Sequence, residues 1–555
     1  MIPQAIIALL AICRLGALHA VVFGGFSAPS LAQRIEASTP RLIITASCGI
    51  EGNKAPASYQ PMIYGAIEQS KYKPESVIVF QRSQLRWDNL DASKGVKDWA
   101  ALVSDCRTRG VKVTQNVPVR SDEGIYIIYT SGTTGLPKGV LRETAGHLVG
   151  LNLSIRYLFS IRGPGDVMFC ASDIGWVVGH SFIIYGPLLA GATTVLFEGK
   201  PVGTPNAGTF WRIIAEHRVN VLFTAPTALR AIRREDPEGK LLQQAAQKGG
   251  MAQFRALFLA GERSEPSIVQ TYQKLLKQYA NPDAQVIDNW WSSESGSPIT
   301  GLALVPGAAD DINSSAVQKS LTVKPGSAGK PMPGFDVRIV DDDGNEVERG
   351  TMGNIVLNVP LAPTGMTTLW KDEERFFKGY LLRFQGKWLD TGDAGMIDED
   401  GYVSIMSRSD DILNVAAHRY VHLYPALLEK TTADQTTPTR FSTGALEQAI
   451  TSHPSIAEAC IIGLPDSLKG HVPFAFVTLS TTSDANAKPS PNLYPEVQKL
   501  VREQIGAIAS LGGMIVGKGM IPKTRSGKTL RRVLREIVEK AVEGTFCFVF
   551  FGVKR

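Results

Sequence analysis

The stretch Tyr129–Val140, YTSGTTGLPKGV, decides how this chain is read. An apolar run rich in isoleucine and tyrosine, Ile125–Tyr129, leads into it as a strand, and hydroxyl side chains and glycines follow before Lys138. Glycine, lacking a Cβ, lets the backbone approach a polyphosphate closely. Ser131, Thr133 and Thr134 offer donors and Lys138 a positive charge, the groups a phosphate recruits. The loop is not of the GxxxxGK[ST] type: the later Ser526–Thr529 carries Pro522 where the first glycine of that pattern should stand. A lone loop of glycine and hydroxyls would be an ordinary turn. A strand followed by this whole string is a phosphate-loop candidate.

Working outward, short Val/Ile/Phe-rich runs bounded by Gly, Pro, Asn or Asp recur at Leu42–Thr45, Val77–Phe80, Thr193–Phe197, Val221–Thr224, Ala256–Leu259 and Gln285–Asp288. Helical periods lie between several of them, at Gly208–Glu216, Ala225–Arg234 and Ser267–Tyr279. Buried strands alternating with helices predict α/β architecture with parallel sheets, whose ligands gather at the carboxyl ends of the strands. From Asp336 the pattern changes to hairpins, Asp336–Val340 with Gly353–Leu357 and Met396–Ile397 with Tyr402–Ile405. A smaller unit follows a boundary at Ser407–Asp411, with strands at Ala459–Ile462 and Phe474–Leu479 and a basic helix from Thr529. The length, 555 residues, suits several folding units at about 150 residues each.

Composition is that of a globular protein, 44% hydrophobic and 20% charged, which excludes wholesale disorder and fibrous classes. A net charge of +6 suits anionic substrates without pointing to nucleic acid. The six cysteines show no CxxC spacing, so a reducing compartment is expected and a zinc site is not. No apolar run is long enough to span a bilayer. Met1–Leu10 lacks the basic flank of a signal peptide and reads as a core helix flowing into a strand at Ala20–Phe23 and a turn at Gly24–Gly25. Thr545–Val553 reads as a strand or a stray tail.

Further blocks follow the phosphate loop in order: Asp288–Gly296 (DNWWSSESG), Leu389–Asp393 (LDTGD), Arg408–Arg419 (RSDDILNVAAHR) and Pro522–Arg532 (PKTRSGKTLRR). Together with the loop they resemble the adenylate-forming, AMP-binding acyl-CoA synthetases. Ser172–Leu188 (SDIGWVVGHSFIIYGPL) and Leu222–Arg230 (LFTAPTALR) are most similar to the short-chain acetyl- and propionyl-CoA synthetases of that family. The resemblance implies a large adenylate-forming domain over 1–407, a small mobile α+β domain over 408–544 and a divergent tail, 545–555. It implies activation of a carboxylate by ATP to an acyl-adenylate with release of pyrophosphate, then attack by the thiol of coenzyme A with release of AMP.

Residue by residue, the resemblance assigns Thr130, Ser131, Gly132, Thr133, Thr134, Gly135 and Lys138 to the phosphates of ATP. It assigns Gly261, Glu262 and Arg263 to adenine, with Arg263 standing where a proline is common, and Asp288 to the exocyclic amine. Asn289, Trp290, Trp291 and Ser292 complete that block, Ser293 donates to the α-phosphate and Glu294 holds Mg²⁺. Asp393 would accept both ribose hydroxyls, Arg408 would back up the ribose and Arg419 would reach phosphate. Lys528 would bridge carboxylate and α-phosphate, screening charge where two anions meet; by itself it reads as part of a solvated basic face. Ala225, Ala416, Ala417 and Arg502 are expected to contact CoA, and Asp410 to be the hinge between two poses of the small domain.

The acyl pocket is expected to be formed by Trp176, Val177, Val178, Ala260 and Trp291. A tryptophan floor limits the acid to a few carbons. Ala260 stands where acetate-specific members tend to carry valine, leaving room for about one more methylene, which favours propionate over acetate and butyrate. Two departures from the pattern are expected to reflect an incomplete or mis-spliced gene: a missing N-terminal segment, and an insertion at Tyr420–Phe441 that reads as an exposed polar loop. The partners expected are small molecules, with neither nucleic acid nor membrane, and the compartment cytoplasm or mitochondrial matrix. Two alternatives stand beside the main reading: a ligase for another small acid, and a truncated relative that binds nucleotide with little activity.

Overall fold

The computed structural model describes residues 1–52, 54–130, 136–304, 322–408, 412–415, 439–466, 470–480, 490–505, 511–517, 520–523 and 529–542. Contacts divide the chain into two compact units. The first comprises Met1–Arg338, Val356–Thr391 and Ile397–Ser404, and the second Ile339–Ile355, Gly392–Met396 and Ile405–Arg555.

The first unit is organised by a five-stranded parallel sheet in the order Gln285–Asp288, Ala256–Leu259, Val221–Thr224, Val167–Cys170, Thr193–Thr194. Its central strands are apolar on both faces, as a sheet covered by helices requires. Helices Thr209–Glu216, Pro226–Glu235 and Pro266–Tyr279 bury Trp211, Leu229, Ile232, Tyr272 and Leu276 against one face, sharing a core with Phe169, Leu222 and Leu257. The edge strand expected over Thr193–Phe197 stops at Thr194. Beyond Val195 the chain turns so that Phe197 packs edge-on against Phe169 and near Phe210, burial taking precedence over a longer ladder. A second parallel sheet, Leu42–Ala46, Ser76–Phe80 and Val96–Asp98, has its own core around Ile35, Ile63, Val77 and Val79.

Two expectations are corrected. The phosphate-loop strand, Gly124–Thr130, does not feed a parallel crossover. It is one arm of an antiparallel hairpin whose return arm is Lys138–Glu143, with Tyr129 opposite Gly139 and Thr130 opposite Lys138. A Cβ at 139 would come within 2.9 Å of the Tyr129 ring, so the close crossing depends on glycine there. Ala20–Phe23 is not a strand: after the helix Pro3–Arg14 a single bridge, His19 to Tyr126, is made. The segment then turns at Gly24–Gly25, with Phe23 packed on Phe26 and Trp176.

In the second unit, Ile456–Asp466 and Gly470–Leu479 pair antiparallel and Gly513–Val516 joins the latter in parallel. The period of two sorts their side chains. Ile461, Ala475 and Val477 face the helices Thr443–Thr451 and Leu493–Ile505. Cys460, Ile462 and Phe476 face Leu534 and Val538 of the helix Arg531–Val542. The insertion is not loop throughout: Thr439–Ser442 pairs antiparallel with Ile412–Val415, a β-branched and aromatic segment taking the edge of the sheet. Residues 420–438 of the insertion and the tail beyond 542 lie outside the described residues.

Candidate active site

In the parallel sheet Thr224, Leu259 and Asp288 stand side by side in register at the carboxyl ends of their strands. Three predicted segments therefore emerge at one edge, beginning at Ala225, Ala260 and Asn289, and backbone bonds tie them together. The Ala260 amide donates to the Thr224 carbonyl at 3.2 Å and the Asn289 amide to the Leu259 carbonyl at 2.9 Å. Gly261 holds φ +100°, a conformation open to glycine and strained for other residues. Glu262 pairs with Arg230, whose other nitrogen grips Glu265 at 2.8 Å, so the helix after Ala225 anchors the expected adenine loop. Burial pushes the Asp288 carboxyl up to about 7, while the Ser264 amide at 3.3 Å and the Arg263 charge favour its ionised form. Asn289 is buried, and its side-chain amide has no hydrogen-bond partner among the described residues.

The segment after Asn289 carries Ser293 and Glu294 on a turn fastened from behind. Arg142, on the return arm of the hairpin and 1% exposed, donates to the carbonyls of Ser293, Glu294 (3.2 Å) and Thr364. Gly296, at φ +69°, leaves room for that guanidinium, since a Cβ would lie 2.7 Å from Arg142 Cζ. Ser181 Oγ donates to the Gly296 carbonyl at 2.8 Å, and Ser295 Oγ closes on the Ser297 carbonyl at 2.8 Å. On the other side the Tyr380 hydroxyl donates to Glu294 Oε1 at 2.6 Å, and Lys138 Nζ lies 3.4 Å from the same hydroxyl. Lys138 and Glu294, separated by 156 positions in the chain, thus share a neighbour.

Arg142 and Tyr380 were not foreseen. Arg142 leaves a faint sequence signal, a charge at an inward position of an alternating strand, and Tyr380 leaves none. Three phenylalanines beside the expected acyl-pocket tryptophans were missed too: Trp291 packs on Phe182 and Phe223 at 5.5 and 6.3 Å, and Trp176 on Phe23 at 5.8 Å. Val177 and Ala260 are buried, and Trp176 and Val178 are half-buried. In the second unit Arg408 Nη1 contacts Asp393 Oδ1 at 3.1 Å, and Gly392 (φ +68°) is needed because a Cβ there would meet the guanidinium at 2.5 Å. Arg502 is exposed on the helix Leu493–Ile505. Ser131–Gly135, Asp410, Ala416, Ala417, Arg419 and Lys528 lie outside the described residues.

Near Arg142 a buried cluster collects His19, His147 and His180 with Tyr126 and Tyr185. His180 stacks on His19 at 5.3 Å and lies 4.4 Å from Tyr126, whose ring meets His147 edge-on at 5.3 Å. His19 Nε2 and the Tyr185 hydroxyl are 2.7 Å apart. Burial, with Arg142 adding repulsion at His147 and His180, depresses all three imidazoles, His180 to about 4. They are neutral in the fold and protonate more readily when unfolded. Stability is therefore fully present above pH 6.5 and falls as pH drops towards 4, by about 3 kcal/mol for His180 alone. Urea unfolding at pH 7.5, 6 and 5 is expected to show this fall. His180→Gln should lessen the fall, since His19 and His147 remain, and a curve flat in the parent chain would contradict the assignment.

A hard divalent cation asks for oxygen donors and leaves much of its shell to water and phosphate. The Glu294 carboxylate, with one oxygen already oriented by Tyr380, fits that demand as a single protein ligand. Among the described residues no group of three or more His, Cys, Asp or Glu could hold a metal by itself. The same residues include no helix long and apolar enough to cross a membrane, and the five described cysteines are free thiols.

The family model of the AMP-binding enzymes matches residues 1–365, and that of the AMP-binding enzyme C-terminal domain matches 445–528. This chain belongs to the AMP-binding enzymes. Its relatives place it among the short-chain acyl-CoA synthetases. It is 40% identical to the mouse "Acyl-CoA synthetase short-chain family member 3, mitochondrial" over 97% of this chain and 71% of that protein. It is 36% identical to the acetyl-coenzyme A synthetase of Novosphingobium aromaticivorans over 98% of this chain and 74% of that one. Among solved structures the acetoacetyl-CoA synthetase of Streptomyces lividans superposes with a TM-score of 0.77 at 22% identity, covering 97% of this chain and 72% of that chain. That likeness shows the adenylate-forming fold.

Proposed function

We propose that this synthetase joins a short-chain carboxylic acid to coenzyme A through an acyl-adenylate, with propionate preferred to acetate. AMP-forming acid–thiol ligation is the chemistry of its family. The observation that carries the reading for this chain is the arrangement of Lys138, Tyr380 and Glu294, the last of these on the segment that follows the strand Gln285–Asp288. A cation and a carboxylate held a phenol's width apart suit a polyphosphate that carries its own divalent cation.

In this scheme the acid's carboxylate approaches the α-phosphate, two anions that repel until donors and cations screen them. Ser293 donates to the α-phosphate, Lys138 faces the departing pyrophosphate and Lys528 bridges the two reacting groups. Glu294 would hold magnesium, which would neutralise phosphate charge. Asp288 and the Gly261–Arg263 loop orient adenine, Asp393 and Arg408 the ribose, and Arg419 reaches phosphate. Rotation of the small domain about Asp410 would then present coenzyme A along Ala225, Ala416, Ala417 and Arg502, and its thiolate displaces AMP from the mixed anhydride. Acid-dependent pyrophosphate release measured with acetate, propionate and butyrate tests the whole reading. No release with any of them would overturn it.

The propionate preference rests on Ala260, a buried small residue at the end of its strand. Ala260→Val should lower the kcat/KM ratio of propionate to acetate by about tenfold, since overpacking of this size costs about 1–3 kcal/mol. An unchanged ratio would remove Ala260 from the pocket.

A further inference from the structure

Tyr380 stands between two groups of opposite charge, and its role is assigned by nothing described so far. Its hydroxyl donates to Glu294 Oε1 at 2.6 Å. Lys138 Nζ lies 3.4 Å from that hydroxyl and 4.6 Å from the ring centre, over the face of the phenol. The ring is 7% exposed and is supported by Phe376 at 5.8 Å. A phenol suits this position because it is both donor and acceptor: the proton goes to the carboxylate, while the oxygen lone pair and the π face turn to the ammonium. Aspartate, glutamate or lysine there would satisfy one neighbour and repel the other.

We propose that Tyr380 is a positioning residue that keeps the Lys138 ammonium and the Glu294 carboxylate apart and aimed. Without it the two side chains would close into a direct ion pair, and an incoming nucleotide would have to break that pair before engaging either. The hydrogen bond occupies Oε1, which leaves Oε2 as the oxygen turned to a cation arriving with the phosphates. Arg142 fixes the main chain of the same residue, so Glu294 is held at backbone and side chain from opposite sides. The proposal rests on the reading that the ligand is a nucleotide with its divalent cation.

The test compares the full chain with Tyr380→Phe and Tyr380→Ala. Binding of Mn²⁺ in the presence of α,β-methylene-ATP is followed by electron paramagnetic resonance, and the Mg²⁺ dependence of pyrophosphate release is measured in parallel. Tyr380→Phe keeps the ring and loses one hydrogen bond to a charged group, so Mn²⁺ affinity should fall about tenfold. The Mg²⁺ concentration for half-maximal release should rise in proportion, while saturating Mg²⁺ restores most of kcat. Tyr380→Ala should lose more affinity and need correspondingly more Mg²⁺ for half-maximal release, because the ion pair then competes. Unchanged Mn²⁺ binding in Tyr380→Phe overturns the proposal, and so does unfolding of that variant below the assay temperature, which would make the hydroxyl a fold-holding group. A parent chain that binds Mn²⁺ with the analogue yet activates no short acid refutes the substrate reading and leaves the Tyr380 comparison intact. A parent chain that binds no Mn²⁺ with the analogue overturns both.

Discussion

Lys528→Ala is expected to abolish acyl-adenylate formation, by about 10³-fold or more, while thioester formation from preformed propionyl-adenylate and coenzyme A persists. A single positive charge is needed where a carboxylate meets a phosphate; a thiolate attacking a mixed anhydride has no such encounter to screen. The loop that carries Lys528 is pinched at its base by an antiparallel bridge between Lys523 and Thr529 and by the Leu530 amide donating to the Pro522 carbonyl at 2.9 Å. The neighbouring charges are partly committed within the small unit. Lys523 pairs with Glu458 at 2.5 Å, and Arg531 with Glu447 at 2.7 Å. Pyrophosphate release and thioester formation are measured separately on the same variant. Equal loss of both would assign Lys528 to the fold or to coenzyme A.

Arg142→Met should lower the stability of the first unit by about 4 kcal/mol, seen in calorimetry as a fall of about 5 °C in its transition. The substitution keeps most of the bulk and removes the donors that satisfy the buried carbonyls of Ser293 and Thr364, with Glu294 sharing its carbonyl between Arg142 and the Met366 amide. Each acceptor left unpaired in the interior costs about 1–3 kcal/mol. Arg142→Lys, which keeps a donor and the charge, should recover part of the loss. A melting profile unchanged in Arg142→Met would mean that the three contacts are incidental.

How much of this was readable in advance depended on whether the signal was local. Strands Val221–Thr224, Ala256–Leu259 and Gln285–Asp288 were legible to the residue because each is a buried apolar run closed by a polar or helix-starting residue. The carboxyl-end rule says only that ligands gather where such strands finish; Ala225, Ala260 and Asp288 were named by the family resemblance, and their common edge is seen in the register. The phosphate loop was legible as chemistry but not as geometry. Nothing local in Lys138–Glu143 says that it returns antiparallel along Tyr129, since that depends on pairing across the loop. The strand at Thr439–Ser442 was hidden for the same reason, its partner Ile412–Val415 lying on the far side of the insertion. Tyr380 and Arg142 act through contacts across 86 and 151 positions or more, distances over which residue pattern carries no information.

The hairpin also sets what variation the phosphate loop can bear. Thr130 and Lys138 are cross-strand partners, so the loop numbered 131 to 137 spans a gap of fixed width between two paired residues. Side chains on a strand alternate between faces with a period of two. Adding or removing one residue in the loop, with the ladder kept in register, makes a different length of chain join the same two partners. Shifting the ladder instead turns Val140 and Arg142 out of the interior and Leu141 and Glu143 into it. Related sequences should therefore keep the length of this loop as well as its glycines and hydroxyls.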